Sequence, residues 1–170
     1  FIRLDRSGRN LAGSLEASAA GRAVIEIPEL GVRQSVMVRS AGQSAGFTIP
    51  APARLKRWSP ASPKRYRVTV RFGSDVRTET VGFRTVAVRG GRILLNGEPI
   101  YLKGICVHED HITRGRSLTE TDRRDIFRHI RDLGCNFLRL AHYPHSRRMA
   151  EMADRLGVLH RRFARRLAHA

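Results

Sequence analysis

Apolar and polar residues alternate in short runs through the first half of the chain. Residues 22–28 (RAVIEIP) alternate, residues 34–40 (QSVMVRS) follow a turn at Gly31, and residues 45–50 (AGFTIP) come after SAGQS. Residues 66–72 (YRVTVRF) and 78–88 (TETVGFRTVAV) flank a Gly-Ser-Asp turn at 73–75 and predict a hairpin. Five or so such runs, spaced by about 8–12 residues with no amphipathic helix between them, read as an antiparallel β-sandwich.

The period then changes. Residues 89–109 predict a hairpin around Asn96-Gly97 and an apolar strand over 101–107. Thr119 can cap a helix, with Asp122 three residues on as an acidic form of the capping box. Ile126, Phe127, Ile130 and Leu133 fall on one helical face, and Gly134 offers a left-handed stop. CNFLRLA is a second strand. Met149, Met152, Ala153 and Leu156 make a second helical stripe ending at Gly157, and Val158-Leu159 begins a third strand. Strand, helix, strand, helix, strand with short links is the βαβ rhythm of a parallel sheet.

These rhythms divide the chain into an immunoglobulin-like sandwich over 1–86, parallel βα units over 87–159 and a basic tail over 160–170. In the tail, HRRFARRLAHA, arginines enter where a buried parallel strand would stay apolar. Phe163 and Leu167 could share a helical face there, but a fragment end or an out-of-frame tail fits better. The first residue is Phe1 and no charged-then-apolar leader follows, which reads as a mature product or a piece of one. No apolar run reaches the roughly 18 residues of a membrane span.

Net charge is +17, which raises the question of nucleic acid. Arginines are scattered over every segment, however, and lysine occurs only at positions 56, 64 and 103. No basic block adjoins an aromatic platform, so salt-sensitive adhesion to polyanions is expected and specific nucleic-acid binding is not. Cys106 and Cys135 lie in apolar runs without CxxC spacing or zinc-spaced histidines. They read as buried free thiols and point toward a reducing, cytoplasmic compartment.

Ligands of parallel sheets meet the carboxyl ends of the strands. One predicted strand here ends in His108-Glu109-Asp110-His111 and the next in Arg139, His142, Tyr143 and His145. Ionisable residues at two such ends point to one site. Leu102, Gly104, Cys106 and His108 share a parity, so His108 emerges on the inward side of the rim. Arg139 and His142 have opposite parity and can both face it only if the strand ends or bulges near Ala141. The His-x-x-His spacing at 108–111 lacks the helical context of a zinc protease, and no Gly-x-Ser-x-Gly elbow is present.

RWSPASPKRYRVTV, VGFRTVAV, ILLNGEPIYLKGICVHED and LGCNFLRLAHYPHSRRMAEMADRLGVL occur in order across residues 54–159. In these motifs the chain resembles glycoside hydrolase family 2, the β-galactosidase and β-glucuronidase group. The resemblance implies an immunoglobulin-like sandwich, then the first two to three βα units of an incomplete (β/α)8 TIM barrel, and a sugar-binding jelly roll ahead of Phe1. It further implies that His108 contacts sugar hydroxyls and that Arg139 lies beneath the nucleophile carboxylate. A cation within about 4–6 Å keeps such a carboxylate charged. His142 would donate to the sugar ring in the transition state, and Glu109 and Tyr143 are weaker candidates for contact.

Two departures qualify the match. Lys64-Arg65 precede Tyr66 where the family has a leucine, and after Leu159 the family's apolar, acid-bearing strand is replaced by basic residues. The family's acid/base glutamate follows its fourth strand and its nucleophile the seventh, so neither catalytic carboxylate is expected in this chain. No cofactor or metal is implied. The expected partner is a carbohydrate substrate, without specific nucleic acid or membrane. A homo-oligomer, or pairing with the missing C-terminal portion of the same enzyme, is compatible with the reading. A separate carbohydrate-binding or structural module and a complementing piece are the other functional classes left open.

Overall fold

The computed structural model describes residues 1–162, which are mostly strand with two α-helices. Contacts divide them into two units: residues 1–59 with 64–100, and residues 60–63 with those from 101 onward.

In the first unit, β1 (Ile2–Leu4), β2 (Asn10–Leu15) and β5 (Ala45–Pro50) form one antiparallel sheet in the order β1-β2-β5. The strands β3 (Gly21–Ile27), β4 (Val32–Val38), β6 (Tyr66–Phe72) and β7 (Asp75–Val81) form another, in the order β4-β3-β6-β7. Alternation sends one side of every inner strand into a shared core. Leu4, Leu11 and Ile49 come from the first sheet, and Ile25, Ile27, Val36, Tyr66 and Val68 from the second. Each such aliphatic side chain contributes about 1.5–3 kcal/mol when fully buried. Tyr66 also satisfies its polar tip, because its hydroxyl accepts from the Lys56 N–H at 2.8 Å.

A small antiparallel sheet, β8 (Val86–Arg89), β9 (Arg92–Leu95) and β10 (Glu98–Pro99), completes the unit. The predicted Asn96-Gly97 hairpin joins β9 to β10, both residues having positive φ. The Asn96 side chain does more than turn the chain. It accepts from the Thr85 N–H at 3.1 Å and donates to the Trp58 carbonyl at 3.0 Å. Trp58 is fully buried, with the Arg84 guanidinium 4.4 Å from its ring centre.

Two readings of the alternation need correction here. β1 and β2 were not legible, because the Asn-Leu-Ala-Gly-Ser-Leu of β2 is built of small residues with few β-branched or aromatic ones. The run 78–88 is two strands, not one: β7 stops at Val81, and Gly82 and Phe83 pass beside Trp58 before β8 begins. The change of rhythm was set at residue 86, whereas by contacts the hairpins through residue 100 group with the first unit.

In the second unit, β11 (Gly104–Val107), β12 (Phe137–Leu140) and β13 (Leu159–Arg162) are parallel, in that order. The helices α1 (Glu120–Asp132) and α2 (Arg147–Leu156) are the crossovers. The Thr119 hydroxyl accepts from the Asp122 N–H and the Asp122 carboxylate accepts from the Thr119 N–H, the predicted capping box. Gly134 and Gly157 end the helices with positive φ. Phe127, Ile130, Met149, Met152 and Ala153 pack on Leu138, Leu140 and Val158.

Leu133 and Leu156 do not join them, being 66% and 49% exposed. Leu133 is the C-cap of α1 and Leu156 the last residue of α2, so both helical stripes finish before their last apolar residue. The strand predicted over 101–107 forms only from Gly104. His160, Arg161 and Arg162, read as the start of a tail, extend β13 beside β12. The proposed Phe163/Leu167 face lies outside the described residues. Among the described residues no helix is long and apolar enough to cross a membrane.

Candidate functional site

The register of the parallel sheet aligns Ile105 with Leu138 and Val107 with Leu140, and these four side chains pack toward the helices. The alternate positions, Cys106, Arg139 and Arg161, are aligned on the opposite face and exposed. Gly104 on that face has Phe137 against it: a Cβ there would lie 2.6 Å from both Phe137 Cδ1 and its carbonyl oxygen. Cys106 therefore corrects the buried-thiol expectation, because it sits on the exposed side of its strand. Cys135 is half-buried, and both thiols are free.

β11 ends at Val107 and β12 at Leu140, so His108 and Ala141-His142 lie just past neighbouring strand ends. The Ala141–His142 peptide is cis. Arg139 and His142 meet despite their opposite parity: Arg139 Nη2 is 3.4 Å from His142 Nδ1. The other Arg139 terminal nitrogen lies 3.9 Å from Cys106 Sγ. The His108 ring is edge-on to His142 at 5.5 Å between centres and tilted against Tyr143 at 5.8 Å. His108, Arg139 and His142 are thus gathered at one rim, all three exposed.

Glu109 and Tyr143 are placed differently. Glu109 is buried, and its carboxylate accepts the Ser146 N–H at 2.7 Å. Tyr143 is half-buried, with its hydroxyl accepting the Glu109 N–H at 2.8 Å and the Arg116 guanidinium 4.6 Å from its ring centre. Asp110 points outward, its carboxylate 3.9 Å from Arg116. Consecutive residues on an extended segment diverge in this way, so the two acids do not face one point. At the start of α1, hydrogen bonds from the Thr119 hydroxyl and backbone, together with Arg114, hold the Asp122 carboxyl well below the usual carboxylate range.

Pattern reading missed Arg116 and Arg123. One lies in an irregular loop and the other on a helix remote in sequence from both strand ends, so neither carries a spacing signal. His145, noted for its position, proves to be buried. Its Nε2–H donates to the Ala141 carbonyl at 2.9 Å and its ring stacks on Tyr143 at 4.8 Å.

Chemically the rim is an array of donors and cations: two imidazoles and a guanidinium, with Arg116 alongside. Such an array suits hydroxyl-rich or anionic ligands. Among the described residues no group of three or more histidine, cysteine or acidic side chains is placed to hold a metal ion.

Residues 86–160 match the profile of the glycosyl hydrolases family 2 TIM barrel domain. A β-glucuronidase from Streptococcus agalactiae is 44% identical over 85 residues, covering 50% of this chain and 14% of that protein. A β-galactosidase from Arthrobacter sp. is 30% identical over 159 residues, covering 92% of this chain and 15% of its own length. Among solved structures, a family 2 β-galacturonidase from Eisenbergiella tayi bound to galacturonate superposes with a TM-score of 0.79 at 27% identity, over 95% of this chain and 31% of that one. A β-glucuronidase from Faecalibacterium prausnitzii gives 0.74 at 28% identity, over 94% and 26%. The chain spans less than a sixth of the length of these two curated relatives.

Proposed function

The chain belongs to glycosyl hydrolase family 2, and from that premise we propose that it forms part of a retaining β-glycosidase acting on galactoside- or glucuronide-type substrates. In this reading the two facing antiparallel sheets are an immunoglobulin-like sandwich, and β11, α1, β12, α2 and β13 open a (β/α)8 barrel. The single observation that carries the reading is the meeting of His108, Arg139 and His142 past the carboxyl ends of adjacent parallel strands. That end of a barrel is where its loops build active sites.

The roles follow from the chemistry of each group. Imidazole nitrogens of His108 and His142 donate to sugar hydroxyls. Such bonds strengthen as the ring gains oxocarbenium character, and so they stabilise the transition state more than the bound substrate. Arg139 lends positive charge at the floor of the rim, which favours the ionised form of a carboxylate brought near it.

Retention also needs two carboxyl groups about 5–5.5 Å apart, one as acid/base and one as nucleophile. Glu109 is buried and Asp110 turns outward, so these neighbours do not supply that pair. The 170-residue chain is therefore expected to bind saccharide without cleaving it. Incubation with chromogenic β-galactosides and β-glucuronides tests this. Absence of turnover is expected, and turnover that His142→Ala abolishes would overturn the assignment of both carboxylates to other parts of the enzyme.

A further inference from the structure

We infer that Glu109 is a positioning residue: its buried carboxylate joins the two strand-end turns, so that His108 and His142 face one another, and does not itself touch sugar. The purpose of the tie rests on the saccharide reading above; the tie itself rests on geometry.

Glu109 follows His108 directly, yet its side chain is 11% exposed where that of Asp110 is 54% exposed. A carboxylate withdrawn from water persists where donors and cations replace the water. Both are present. The Ser146 N–H donates to Oε2 at 2.7 Å, Arg123 Nε lies 3.9 Å from Oε1, and His145 Nδ1 lies 3.8 Å from Oε2. Ser146 is the N-cap of α2, so the carboxylate also meets the positive end of that helix.

The backbone is tied in the reverse direction, the Glu109 N–H donating to the Tyr143 hydroxyl. Tyr143 stacks on His145, and His145 donates to the carbonyl of Ala141, the residue before His142. One acid thereby links the residue after His108 to residues on both sides of His142. Its loss removes the buried carboxylate that faces both Arg123 and His145, and among the described residues Arg123 keeps only Glu120, 3.8 Å from its guanidinium. A sugar contact would instead require the carboxylate at the exposed rim, where His108 and His142 are.

The test compares the full chain with Glu109→Gln and Glu109→Ala by NMR. The readout is the nuclear Overhauser cross-peak between the His108 and His142 imidazoles, and the Met149 and Met152 methyl signals report on packing below the rim. The expected result is graded: the cross-peak is lost in Glu109→Ala, and weakened but present in Glu109→Gln, whose amide oxygen can still accept from Ser146. The methyl signals stay in place in Glu109→Gln. A cross-peak at wild-type intensity in either folded variant overturns the inference. Should Glu109→Ala not fold, Glu109→Gln decides by the same criterion.

A separate arm adds methyl β-D-glucuronide or methyl β-D-galactoside to the wild type. Graded cross-peak loss without sugar-induced shifts removes the saccharide reading and leaves the positioning role standing. Sugar-induced shifts with an unchanged cross-peak in the variants remove the positioning role alone.

Discussion

The two units handle apolar surface in opposite ways. In the first, two antiparallel sheets turn their inner faces toward one core, and the outer positions of β3 and β4 are polar, half-buried or, at Met37, exposed. In the second, helices cover one face of a parallel sheet while Cys106, Arg139 and Arg161 stand exposed on the other. The difference teaches where chemistry can reside. A sheet enclosed on its inner face leaves no room there for a ligand, whereas the exposed face of the parallel sheet leads to the rim that carries His108 and His142.

The largest expected effect comes from opening the enclosed core. Leu11 is fully buried, and Leu11→Ala should cost about 2–5 kcal/mol through lost burial and the cavity left behind. Trp58 is the sole tryptophan, so its fluorescence in a urea titration reports on the first unit. An unchanged midpoint would show that the two sheets do not share a core.

In the second unit, Gly157→Ala should be next in size. Gly157 has φ of 76°, and an added Cβ would lie 2.4 Å from the Pro60 carbonyl oxygen. Residues forced into such backbone cost about 1–3 kcal/mol, and helix content followed through thermal unfolding should register the loss. Thr119→Ala removes the capping box and should cost about 0.5–2 kcal/mol by the same measurement.

Acid should act on the same cap. The Asp122 carboxyl is held below its ordinary 3.8 in the folded chain, so its contribution is present above that pH. It is lost as pH falls from there through the folded value, because the unfolded chain takes up the proton first. Thermal unfolding of wild type and Asp122→Asn should converge over that range; a constant gap would contradict the cap. Leu133→Ser sits at the small end, within about 0.5 kcal/mol, because the side chain is exposed. A large loss would restore it to the core stripe that periodicity assigns.

That last contrast shows what a sequence can disclose. The stripe of Phe127 and Ile130, the Thr119 cap and the turns at Asn96-Gly97 and Gly134 were legible because each is a local rule with a short period. β1 and β2 were not, since small residues form strands only where a partner strand is supplied. For the site, the strand ends pointed to one rim, and the family resemblance singled out His108, Arg139 and His142. The end of β12 at Leu140 is what lets Arg139 and His142 meet despite their opposite parity. Burial of Glu109 was not legible, because it depends on Ser146 and Arg123, far away in the chain. Cys106 was misjudged for a related reason: an apolar run does not say which side of its strand will be covered.

The central claim is that the rim formed by His108, Arg139 and His142 receives a saccharide. Its most direct test follows the imidazole NMR signals of the full chain while a β-glucuronide or β-galactoside is titrated in. The account predicts saturable shifts of His108 and His142, with exposed His129 on α1 unmoved. No shift at any concentration, or equal shifts of all three histidines, would contradict it.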